Sequence, residues 1–185
     1  KTRALFMFVP LQSYMTTILA GEASMDETLA MAGTRLQRLN NRLNTPLANL
    51  SALNLVQRIA MSWLCETACL LEAQEDVSNV QIQWMNFDTF LDSPHDHWQR
   101  LSQHFAFEMP KEETHSLLSG PIMTSYSKAP EHGYSSNLRE ELLAGAKEKY
   151  RSEIKDCRKW LDREAKEHQL IAKLLDFKDR PSNHV

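Results

Sequence analysis

Chemistry in this chain is most concentrated between Tyr126 and Arg139, where Ser127, Lys128, His132, Ser135, Ser136 and Arg139 share a loop leading into a helix. A serine hydroxyl, a lysine ammonium and the unpaired backbone N–H groups of a helix start together suit a phosphate-like anion. A plainer use competes with this, since Ser135 or Ser136 also makes an ordinary helix cap. His95, Asp96, His97 and His104 look at first like a metal cluster, because His97 and His104 lie seven apart on one helix face. His95 and His97 point in different directions, however, and no carboxylate or thiolate completes a tetrahedral set, so no metal is expected there. The residues name no general base; His132 and His104 are candidates by residue type alone, and surface or packing roles explain them more simply. Cys65 and Cys69, four apart on a buried helix face, read as packed thiols.

The elements around these residues are mostly helical. Ala4 to Val9 is an unbroken apolar run, the pattern of a parallel strand covered on both faces. Pro10 suits a first helical position, and Leu11, Tyr14, Met15, Ile18 and Leu19 follow at helical spacing as far as Gly21. Ser24 with Glu27 reads as the capping box of a second helix carrying Leu29, Met31, Leu36 and Leu39. Thr45 before Pro46 reads as the start of a third, long and largely buried helix reaching Leu71. Val80 to Trp84 alternates like a second strand, and Ser93, Pro94 and Asp96 form a strong helix start. Two strands about seventy residues apart cannot form a hairpin, so they are expected to lie parallel with a right-handed crossover. Two strands bury too little to stand alone, and more are expected from upstream of Lys1 or from another chain.

From Glu108 to Ser136 the turn-rich sequence reads as one long surface loop. Leu138, Leu142, Ala146, Tyr150, Ile154, Cys157 and Leu161 then trace one stripe of a single long helix. The mixed charges from Lys155 to Lys166 read as its solvated face, and the tail from Asp179 as frayed.

Composition narrows the function classes. The 185 residues are 42% apolar and 24% charged, which fits one soluble globular domain over 1–185. Twenty-one Lys and Arg against 24 Asp and Glu give a net charge of -3, so global attraction to nucleic acid or anionic lipid is excluded. Any anion site must be a local arrangement. Three cysteines without a CxxC pair argue against a disulfide framework or zinc module and point to a reducing, cytoplasmic setting. Arg58 and Glu66 interrupt the most apolar stretch, which excludes a membrane span.

Trp84 to Pro94, with the amphipathic Trp98 to Phe105 segment behind it, resembles the strand and helix that follow the helical insert of sulfotransferases. Tyr126-Ser127-Lys128-Ala129-Pro130 with Tyr134, Arg139, Tyr150 and Trp160 is similar to the carboxy-terminal region of bacterial sulfotransferase-like proteins. The apolar strand entering Pro10-Leu11-Gln12-Ser13-Tyr14 is similar to the strand and helix with which that family grips a nucleotide 3′-phosphate. The resemblance implies an α/β fold, a partial P-loop-like three-layer architecture with about two parallel strands. It also implies transfer of a sulfuryl group from 3′-phosphoadenosine-5′-phosphosulfate to a hydroxyl or amine acceptor. Thr16 or Thr17 falls near the family's phosphate-binding serine, and Tyr126, Ser127 and Lys128 fall on its late nucleotide loop. The family's arginine falls on Phe8, and no Gly-rich loop ends in Lys-Ser or Lys-Thr. The expectation is therefore a carboxy-terminal portion, inactive by itself, with a non-catalytic helical module for protein interaction as the alternative.

Overall fold

The structure is a computed structural model and describes residues 2–47, 49–120, 123, 125–126, 129–133 and 135–177. It is mostly helical, with two parallel strands in one sheet. The chain divides into two compact units, one from Lys1–Phe8 with Asn79–Leu142 and one from Val9–Ser78 with Leu143–Val185. Among the described residues no helix is long and apolar enough to cross a membrane.

The first unit is built on strands β1 (Thr2–Phe8) and β2 (Val80–Asn86). They pair in parallel, with Thr2 opposite Val80 and Phe8 opposite Asn86. Trp84 joins them by edge-on contacts to Phe6 at 5.2 Å and Phe8 at 6.0 Å between ring centroids. Among the described residues no third strand joins this sheet. Burial on both faces is correspondingly incomplete: Phe8 is buried while Met7 is 45% exposed.

Asn86 ends β2 and starts helix α4 (Phe87–Asp92), its side-chain oxygen accepting from the Asp88 N–H at 2.9 Å. Helix α5 (Pro94–Phe105) begins with proline at its first position, as expected, although Ser93 makes no side-chain cap bond. His104 Nε2 lies 2.9 Å from the Ala4 carbonyl and fastens the end of α5 to β1.

The Phe107 N–H donates to Ser102 at 3.0 Å and the Ala106 N–H to Gln103 at 3.2 Å, a Schellman ending of α5. It places Ala106 at φ 54 and ψ 47, the left-handed region where a Cβ is unfavourable. Ala106→Gly is expected to raise the stability of the chain by about 1 kcal/mol, read from the urea midpoint. An unchanged midpoint would show that this residue carries no conformational strain.

The segment read as one loop instead contains helix α6 (Lys111–Leu118) and strands β3 (Ser125–Tyr126) and β4 (Ala129–Gly133), which pair antiparallel. Pro110 precedes α6 and Glu112 and Glu113 occupy its first turn, helix signals that the surrounding turn residues obscure. Helix α7 (Ser136–Lys149) leads out of this unit.

Among the described residues the second unit contains α1 (Leu11–Ala20), α2 (Glu22–Asn40), α3 (Leu55–Asp76), α8 (Arg151–Glu167) and α9 (Gln169–Leu175), with a short 3-10 turn at Leu50–Ala52 and the end of α7. Their core includes Met15, Leu39, Ile59, Met61, Leu64, Ile171 and Leu174, all essentially fully buried. Pro10 caps α1 and does not occupy its first position. Gly21 both ends α1 and caps α2, so Ser24 lies inside that helix and its capping box with Glu27 does not form.

Helix α3 starts nine residues later than the Thr45-Pro46 signal suggested, at Asn54 with Gln57. These two side chains exchange bonds of 2.9 Å with each other's backbone N–H groups, a complete capping box. The final helix is not continuous either. Tyr150, at φ -108 and ψ 23, separates α7 from α8. The tail from Asp179 lies outside the described residues.

Candidate functional site

Helix α1 presents an open N-terminus. Its Pro10 cap supplies no side-chain acceptor, and the first intrahelical bond runs from the Tyr14 N–H to the Pro10 carbonyl at 2.8 Å. The N–H groups of Leu11, Gln12 and Ser13 precede that bond and have no partner within the helix. They form the positive end of its dipole. The entry to α1 is fixed by Trp63, whose ring N–H donates to the Val9 carbonyl at 2.8 Å.

Gln12 adds a donor here. Arg158, on α8, donates to Gln12 Oε1. Because a guanidinium carries only donors, the amide oxygen must face it, and the amide nitrogen is left over. That Nε2 is buried and has no hydrogen-bond partner among the described residues. Buried polar groups are almost always paired, so an unmatched amide donor beside an exposed guanidinium favours an acceptor from outside the chain. Burial pushes the nearby Tyr14 phenol above its ordinary value, partly offset by Arg35, which keeps it a neutral hydroxyl.

The other residues singled out in the sequence fall as follows. Thr16 is 4% exposed and shares its hydroxyl proton between the Gln12 and Ser13 carbonyls at 3.0 and 3.1 Å. Thr17 is exposed. Tyr126 belongs to β3, in the other unit, and its side chain lies outside the described residues, as do Ser127 and Lys128. Neither unit by itself therefore carries the whole expected set.

Arg139 is committed to Asp88 at 2.6 Å, both side chains 22% exposed. Ser135 Oγ accepts from the Leu138 N–H at 3.1 Å and is the helix cap that its position suggested. His104 is engaged with Ala4, and the side chain of His132 lies outside the described residues. His97 packs edge-on against Phe90 at 6.2 Å, and burial pushes its imidazole below the ordinary value.

Gln12 and Arg158 were not legible as a pair, being 146 residues apart. The nearest signal was Gln12 itself, in the second position of a helix that no Ser, Thr, Asp or Asn caps. No protein-family model, curated protein or solved structure matches this chain.

Proposed function

We propose that the second unit binds the 3′-phosphate of an adenosine 3′,5′-bisphosphate moiety at the N-terminus of α1, as part of a P-loop-like sulfotransferase that uses 3′-phosphoadenosine-5′-phosphosulfate. The observation that carries this reading is the buried Gln12 Nε2, a donor with no acceptor, next to Arg158 and the open N–H groups of α1. A dianionic phosphate is an acceptor suited to each of these three kinds of donor. The sequence resemblance supports the same location, since it sets the family's phosphate grip on Pro10 to Tyr14. In this reading Arg158 supplies the guanidinium that the family carries where this chain has Phe8. Thr16 is turned inward onto backbone carbonyls, which leaves Thr17 and Ser13 as the hydroxyls near the helix start. By resemblance, Tyr126, Ser127 and Lys128 fall on the family's late nucleotide loop. Sulfuryl transfer needs a phosphosulfate loop in addition, which these residues do not contain.

Adenosine 3′,5′-bisphosphate is expected to stabilise the chain against heat, and adenosine 5′-monophosphate much less. Arg158→Ala and Gln12→Ala are each expected to weaken the bisphosphate about tenfold by calorimetry, the loss of one charge-assisted or otherwise unsatisfied hydrogen bond. Lys128→Ala is expected to act in the same direction. Binding that ignores Arg158 and Gln12, or no binding at all, removes the reading.

A second reading has one observation in its favour. Leu138 and Leu142 are four apart on α7 and are 43% and 47% exposed, as expected of a helix that docks on another protein. Indifference to nucleotide, together with stabilisation by a protein partner that is lost in Leu142→Glu, would favour it.

A further inference from the structure

The carboxy-terminal end of α8 carries Glu164, Glu167 and His168, spaced three and four residues from Glu164 and so on one helix face. One donor atom from each lies within 4.8 Å of the other two. Two carboxylates and an imidazole form a mixed donor set of the kind that holds divalent zinc.

A second observation concerns the histidine. The His168 side chain is 3% exposed. Its nearest charged partner is Glu164 Oε2, 3.8 Å from Nε2 and beyond hydrogen-bond reach. A buried imidazole facing a carboxylate across an interval too long for a hydrogen bond, with a second carboxylate donor within 4.8 Å, has the spacing of ligands around an ion. Donors bonded at about 2.0–2.2 Å to one zinc sit roughly 3–4 Å apart. Glu167 is exposed, which gives an ion a path from solvent. Arg163 Nη2 competes for the other oxygen of Glu164 at 3.2 Å, but its side chain is 66% exposed and free to swing away. The charged face of α8, read from sequence as solvated, thus ends in a site whose third donor comes from its buried stripe.

We infer that Glu164, Glu167 and His168 bind a divalent zinc ion with three protein ligands. A water molecule completes the coordination. The site is independent of the nucleotide reading, because none of its ligands belongs to the α1 terminus.

The test is a calorimetric titration of the 185-residue chain with zinc chloride. Glu164→Gln and Glu167→Gln are each expected to weaken zinc at least tenfold. His115→Ala is expected to leave this binding intact; it breaks a close histidine pair elsewhere, His95 with His115, whose rings lie 5.8 Å apart. His168→Ala should abolish the site, and if that buried change prevents folding, the exposed Glu167→Gln decides the matter. Unchanged zinc affinity in both glutamine variants, loss only in His115→Ala, or equal affinity for magnesium would each overturn the assignment.

Discussion

Trp63→Ala is expected to lower the unfolding free energy by about 3–5 kcal/mol, a large share of the roughly 5–15 kcal/mol that an ordinary domain has. Trp63 is 5% exposed in α3 and donates its ring N–H to the Val9 carbonyl. The change therefore opens a cavity and removes the donor that tethers the entry to α1. Trp63→Phe separates the two effects. It keeps most of the apolar volume and loses the bond, for an expected cost of about 1–2 kcal/mol. Urea unfolding followed by circular dichroism measures both, with the slope unchanged if the transition stays two-state. A Trp63→Ala cost below about 2 kcal/mol would mean that the indole neither fills the core nor holds Val9. If the α1 terminus holds the nucleotide as proposed, its affinity should also fall in Trp63→Phe, since the Val9 tether sets where the N–H groups of α1 point.

Signals that act within a few residues were legible. The apolar run of β1 and the alternation of β2, separated by helices, led to a parallel pair, and the pairing of Thr2 to Phe8 with Val80 to Asn86 is parallel. Pro94 opens α5 because proline at a first helical position costs nothing. Competing local signals were harder to rank. Pro46 looked like a helix start, yet α3 waits for the reciprocal bonds of Asn54 and Gln57, which satisfy two N–H groups where a proline only omits one. Ser24 and Glu27 match the same pattern but fall inside α2, since Gly21 at φ -126 already makes the turn. The break at Tyr150 left no trace, because Ala146, Tyr150 and Ile154 keep a four-residue spacing across it.

The candidate sites were legible only in part, and for a related reason. The buried stripe of α8 runs through Ile154, Cys157 and Leu161, and the next positions at the same spacing are Glu164 and His168. A glutamate and a histidine on an apolar stripe are the sequence signal of a polar cluster facing inward. Reading the helix by its charge content put Glu164 with the solvated face and gave His168 no part in it. Gln12 and Arg158 give no comparable pattern, because their meeting depends on how α8 packs within the second unit.

That packing has a consequence at alkaline pH. Cys157 is fully buried on α8, its thiol directed at the Val56 carbonyl at 3.7 Å, and burial pushes its pKa up to about 12. Burial, with help from Cys69, pushes Cys65 up to about 11. In the unfolded chain both thiols ionise near their ordinary value of about 8.5–9. Above that pH the unfolded state has released protons that the folded state keeps, so stability falls as pH rises. The contribution is complete below about pH 9 and is lost up to the folded values, at about 1.4 kcal/mol per pH unit for each thiol. Near pH 10.5 the two together are expected to cost about 4 kcal/mol. Tyrosines and lysines titrate in the same range, so the measurement is a difference: urea midpoints from about pH 7.5 to 10.5 for the natural chain and for Cys65→Ala with Cys157→Ala. The variant should start less stable and lose much less with pH, bringing the two curves together. Parallel curves would show that the thiols ionise as readily in the folded chain as in the unfolded one, and that water reaches the interface of α3 and α8. A thiol reagent near pH 8 gives the same answer by rate, since it should modify the half-exposed Cys69 at once and reach Cys65 and Cys157 only as the chain unfolds.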